Sequence, residues 1–184
     1  MATPTTLPST FTAGQVLTAA QMNNLRGAFR ILQVVSTTKT DTFTSSVAAG
    51  AFAAVTGLTA TITPSATSSK ILIVASVTGG AGTAGDGFSA KLTGGNTASY
   101  VGNTNGSRTP TAAVGYTKSI PATISLVYLD SPATTSATTY GVSITFTETG
   151  TTPLAVYCNR GGNDANAAYT MSPASTITVF EVSA

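Results

Sequence analysis

From Val34 onward the chain alternates short apolar runs with polar clusters, at the two-residue period that sends successive side chains to opposite faces of a strand. In LTATIT (58–63), Leu58, Ala60 and Ile62 alternate with three threonines, which predicts one buried and one wet face. KILIVASV (70–77) is apolar on both faces and predicts an inner strand, and ISLVYL (124–129) and YGVSITF (140–146) share that character before ending in turn residues. LAVYCN (154–159) and STITVFEVS (175–183) complete the clear set, with weaker strands predicted at 34–42, 87–92, 97–101 and 113–118. Eight to ten strands with no helical crossover to join parallel neighbours predict an all-β, antiparallel β-sandwich of jelly-roll type.

The N-terminal stretch LTAAQMNNLRGAFRIL breaks this period. Thr18 and Gln21 have capping-box spacing, and Leu17 and Met22 fall where a hydrophobic staple sits. Met22, Leu25, Phe29 and Leu32 then follow a three-four-three spacing, one seam of a helix, with Asn23, Asn24, Arg26 and Arg30 around the rest. Ahead of it, residues 2–14 carry Pro4 and Pro8, which keep an arm extended. The expected organisation is an arm and short helix over 1–32 and a sandwich over 33–184. A helix of about three turns is marginal alone in water, so it must dock, either on its own sandwich or in a parallel bundle around an oligomer axis. Spacing leaves both open and ranks self-docking first, since a coiled coil needs about three heptads or more.

Composition narrows the function. Charged residues make up 8% of the chain and hydrophobic ones 42%, which predicts a folded protein. A net charge of +2 from singly scattered basic residues gives no footprint for nucleic acid and no polybasic segment for a membrane. MATPTTLPSTFTAG lacks the basic and apolar regions of a leader, and no run is long enough to insert in a bilayer, so synthesis in the cytoplasm is expected. Cys158 stands alone and is expected buried in a strand.

Catalytic chemistry has little to work with. The chain has no histidine, and Asp41, Asp86, Asp130, Glu148, Asp164 and Glu181 show no close pairing along it. No catalytic, metal or cofactor site is predicted. Gly80, Gly82 and Gly85 satisfy G-x-G-x-x-G after a strand, but DGFSAKLTGGN is not the helix that a dinucleotide requires, so a flexible glycine loop joining two strands is expected. Asn105 opens a glycosylation sequon that a chain without a secretory signal does not use. Two exposed loops are the candidate binding surfaces: YVGNTNGSRTP (100–110), with Asn105 and Arg108, and NRGGNDANAAY (159–169), with Asn159, Arg160, Asn163 and Asp164.

The segment FTAGQVLTAAQMNNL resembles the N-terminal segments of tail-fibre and minor virion proteins of tailed bacteriophages. ITPSATSSKILI, LDSPATTSATTYGVSI and the ending STITVFEVSA are similar to phrases in small phage structural proteins, so the resemblance covers nearly the whole chain. It implies a non-enzymatic virion protein on the particle exterior, usually a homotrimer. It also shifts the helix towards a trimer bundle in which Leu17, Met22, Leu25, Phe29 and Leu32 serve attachment and oligomerisation. The implied partners are other virion proteins (tail, baseplate or major capsid protein) and a host surface receptor. A tail-fibre or tip appendage is the leading expectation and a capsid decoration (cement) protein the alternative. A carbohydrate-active jelly roll ranks last, for want of paired carboxylates and of any tryptophan platform.

Overall fold

The computed structural model describes residues 13, 14, 16, 31–82, 87–117, 120–147 and 153–183. Leu17, Met22, Leu25 and Phe29 of the expected helical seam lie outside the described residues. Leu32 does not continue that seam: it lies in a strand, so a helix could not extend to residue 32. Its neighbours Ile31 and Val34 to Thr38 find partners on the last strand, and cross-strand pairing overrides the helical spacing there.

Ten strands follow: β1 (Ile31–Lys39), β2 (Phe43–Val47), β3 (Ala53–Ile62), β4 (Lys70–Ala81), β5 (Gly87–Thr93), β6 (Ala113–Tyr116), β7 (Ala122–Asp130), β8 (Thr138–Thr147), β9 (Leu154–Cys158) and β10 (Ser175–Val182). Their antiparallel pairing is nested, first with last: β1 with β10, β2 with β9, β3 with β8, β4 with β7, β5 with β6. Such nesting is what results when one long two-stranded ribbon is bent over on itself. Rolling that ribbon adds the pairings β10–β4 and β8–β5, and so produces two sheets. One runs β1-β10-β4-β7, with β9 and β2 extending it, and the other runs β3-β8-β5-β6. This is a jelly roll. The extension arises on β4, which pairs with β10 up to Ser76 and with β9 from Gly79.

The core lies between the sheets, where the alternation expected of 58–63 is met; 70–77 and 124–129, apolar on both faces, bury only one, leaving Val74, Val127 and Leu129 exposed on the other. Leu58, Ala60 and Ile62 of β3 are buried, as are Ile71, Ile73, Ala75 and Val77 of β4 and Ile177 and Val179 of β10. Phe88, Leu126, Tyr140 and Ile144 fill the middle, each such apolar side chain stabilising the fold by about 1.5–3 kcal/mol. Cys158 is buried in β9 as expected, and burial pushes its thiol pKa up.

Buried polar groups tie the connections to the core. Glu181 accepts from Ser65 N, Ser65 Oγ and Ser69 Oγ through one oxygen (2.7, 2.6 and 2.7 Å) and from Gln33 Nε2 through the other (2.7 Å). It thereby clamps β1, β10 and the β3–β4 turn together. Asp130 likewise accepts from Tyr140 Oη (2.7 Å), Asn96 N (3.1 Å) and Ser131 N (2.7 Å). Burial, then this carboxylate, raises the Tyr140 phenol pKa.

Three local expectations change. The strand expected at 97–101 is a single 3-10 turn, Thr97–Ser99, because Gly94 and Gly95 adopt positive φ (91° and 50°) and Thr97 Oγ1 then bonds back to Gly94 O (2.7 Å). The strand expected over 34–42 ends at Lys39 and the chain restarts as β2, which the serine-rich FTSSV concealed. The expected glycine loop is strand through Ala81. A Cβ on Gly79 would lie 2.2 Å from Tyr157 O, and one on Gly80 would touch Gly161 at 3.5 Å, so this end of β4 is glycine because β9 and the chain after it pack against its backbone.

Candidate functional site

The β5–β6 connection carries Asn105 and Arg108, and it lies against the outer face of the second sheet. Gly102 N donates to Thr111 O (2.9 Å), Arg108 N to Asn105 O (3.2 Å), and Thr111 Oγ1 to Ala90 O (3.0 Å), with Gly106 at φ 61° at the tip. Ser89 Oγ shares a hydrogen bond with Thr111 Oγ1 and donates to Ala113 O (3.0 Å). Tyr100 anchors the other end: its ring stacks on Tyr128 at 5.0 Å and its hydroxyl accepts from Val127 N (3.3 Å) on the β7 edge. Asn105 and Arg108 are exposed.

Opposite this loop stands the β2–β3 turn, held by a Thr145 Oγ1 bond to Ala51 O (2.6 Å). Gly50, at φ 77°, brings the two connections together; a Cβ there would lie 3.2 Å from Thr109 Oγ1. On one side of the Gly50–Thr109 contact is a cleft of about 610 Å³ over Ser89, Thr111, Val114, Thr145, Phe146 and Thr147, with Arg108 as its charged group. On the other side a smaller cleft of about 410 Å³ includes Lys91, whose ammonium sits 4.0 Å from the Phe52 ring centroid. The first is rich in hydroxyl side chains and the second mainly apolar; each has one cation, and no carboxylate lines either among the described residues. Ser89, Thr111 and Thr145 give their hydroxyl hydrogens to backbone carbonyls, so in the first cleft the Arg108 guanidinium can donate to hydroxylated or acidic groups while those hydroxyl oxygens can accept. The threonines at 145 and 147, alternating with core residues of β8, were the sequence signal for its floor.

The second loop departs from expectation at its first residue. Asn159 is buried, because its side chain serves as a backbone surrogate. Its Nδ2 donates to Lys39 O (2.8 Å) and Asp41 O (2.9 Å), its Oδ1 accepts from Ser175 Oγ (2.6 Å), and its N donates to Thr78 O (2.8 Å). It also takes a left-handed φ of 61°, which asparagine tolerates. Asn159 thus bridges the break between β1 and β2 to β4 and β10. Nearby, Lys39 Nζ contacts Asp41 Oδ2 at 2.6 Å, and that bond lowers the Asp41 pKa.

Arg160 is half-buried, its guanidinium 4.3 Å from the Tyr157 ring centroid and 2.8 Å from Asp164 Oδ2. Asn163 and Asp164 are exposed; Asn163 Oδ1 accepts from Ala165 N (3.3 Å). Arg160 and Asp164 therefore satisfy one another, whereas Arg108 faces an open cleft. The two loops line separate surfaces: Gly161 and Asn163 border a depression of about 50 Å³ with Ile120 and Met171.

No family model and no curated protein matches the chain. Among solved structures it is similar to chains from infectious bursal disease virus: a VP2 mutant in derived T=1 particles (14% identity, 83% of this chain, 36% of that chain, TM-score 0.40), a structure of the Gt strain (15%, 83%, 38%, 0.38) and a VP2 subviral particle (16%, 83%, 38%, 0.37). The chain thus spans well under half the length of those chains. At these scores the likeness carries no functional argument, and the architecture rests on the strand pairing.

Proposed function

We propose that the protein is a non-enzymatic structural component of a tailed-bacteriophage virion: an exterior homotrimeric appendage of tail-fibre or tip type. In this reading residues 1–32 attach it to another virion protein, and the jelly roll presents the Arg108 cleft to a host surface receptor. The observation that carries the display role is that cleft: two connections meet at Gly50 and Thr109 over the sheet, and the Arg108 guanidinium, which no carboxylate opposes among the described residues, stands at the rim. The resemblance of the arm and of several strand phrases supports the virion assignment. Particles carrying Arg108→Ala should assemble with a normal complement of the protein and lose at least tenfold in host adsorption. Unchanged adsorption would end the display reading.

A capsid decoration protein is the competing reading, favoured by the weakly charged outer face of the first sheet with its apolar end, which the display reading leaves unused. It predicts that particles lacking the protein adsorb normally and lose integrity at lower temperature.

A further inference from the structure

The register of the first sheet sets its outward side chains in rows. Val34, Phe180, Leu72 and Leu129 stand side by side across β1, β10, β4 and β7, and all four are apolar. The next row is Ser36, Thr178, Val74 and Val127, and the one after is Thr38, Thr176, Ser76 and Ser125. Ile31 and Val182 extend the apolar end. Val34, Val127 and Leu129 are each more than half exposed (52%, 54% and 52%). Among these four strands Lys70 is the one outward charged side chain, and its ammonium is tied to Ser131 Oγ (2.8 Å) at the margin; Arg160 lies beyond them, over Tyr157 of β9.

We infer that this face packs against the same protein in a neighbouring subunit, and so supplies the inter-subunit contact of the proposed oligomer, a reading on which the inference rests. Its size fits. Four strands at about 4.8 Å spacing and four rows at about 6.8 Å give a plan area of roughly 500 Å². Side-chain relief brings that towards the roughly 800 Å² per partner of a stable association. Its chemistry fits too: apolar side chains grade into Ser and Thr without charge, as in an interface core passing into its rim. A sugar receptor would find too few hydrogen-bonding groups at the apolar end. Residues 17–30, even as a helix, would be about 10 Å across and would cover only about two of the four strands.

The test uses the full chain in sedimentation at micromolar concentration. Val127→Lys with Leu129→Lys changes two outward side chains on an edge strand, where the sandwich accepts lysine. Thr61→Lys, exposed on β3 of the other sheet, controls for added charge. The wild type and Thr61→Lys should sediment as the same oligomer. The double variant should be a folded monomer with subunit affinity weakened at least 100-fold, and deletion of residues 1–30 should leave association intact. A wild type that is monomeric at 50 µM (on the order of the concentrations used for such association) overturns the inference. So does a double variant that still associates, or an association that only the deletion abolishes. Adsorption of Arg108→Ala particles tests the display reading separately, so either can fail alone. If the wild type is monomeric and the double variant loses binding to the capsid shell, the decoration reading replaces both.

Discussion

Glu181→Gln tests how a buried carboxylate holds this jelly roll closed. The side chain is 1% exposed, so burial by itself would raise its pKa. The hydrogen bonds from Ser65, Ser69 and Gln33 outweigh burial and hold the value at about 2, against an ordinary 4.5. That separation corresponds to about 3 kcal/mol of stability. Because the folded value is depressed, the contribution is complete above the unfolded value of about 4.5, and is lost as pH falls through about 2. Glutamine keeps the oxygen that serves Ser65 and Ser69, but it turns an NH₂ towards Gln33 Nε2. Flipping the Gln33 amide would sacrifice its bond to Thr63 O (2.6 Å). Urea unfolding at pH 7 should therefore show Glu181→Gln destabilised by about 3 kcal/mol, or roughly 6–12 °C in Tm for a chain of this size. Near pH 2 the gap between wild type and variant should shrink below about 1 kcal/mol, since protonated Glu181 has the same donor mismatch. A gap independent of pH, or one below about 0.5 kcal/mol at pH 7, would refute the account.

Gly79→Ala should destabilise by about 3 kcal/mol or more, because its Cβ would meet the Tyr157 carbonyl at 2.2 Å, whereas Gly80→Ala, with nothing nearer than 3.5 Å, should cost less than about 1 kcal/mol in urea unfolding. Equal losses would show that strand packing does not explain these glycines. Asn159→Ala removes the donors to Lys39 O and Asp41 O and leaves alanine at φ 61°, so a loss of about 2–4 kcal/mol is expected, with Arg160→Ala close to neutral. A midpoint for Asn159→Ala that matches wild type would sink the bridging role.

The strands were legible because their information is local. The alternation in LTATIT and in the β-branched ending STITVFEVS states a face and a period, and burial of Ile62 and Val179 follows directly, whereas KILIVASV, apolar on both faces, states a strand but not that Ile73 rather than Val74 is buried. Absence of histidine and the isolation of Cys158 are likewise properties of composition, which no fold can alter. Arg108 was legible as a loop residue because Asn, Gly, Ser and Pro around it favour turns.

What tertiary structure decided was which backbone meets which. Nothing local to Asn159 distinguishes it from the exposed Asn163; it is buried because the break between β1 and β2 leaves two carbonyls that only a side-chain amide can reach. Gly79 and Gly80 look like a loop until β9 pairs with them, and FTSSV becomes a strand only because Leu154–Cys158 supplies its partner. The clefts beside Gly50 and Thr109 join residues separated by more than fifty positions, and the four-residue apolar row from Val34 to Leu129 exists only once four strands share a register. A strand's period follows from steric preferences within a few residues, but pairing, register and burial depend on contacts between distant segments, and these appear only when the ribbon has rolled.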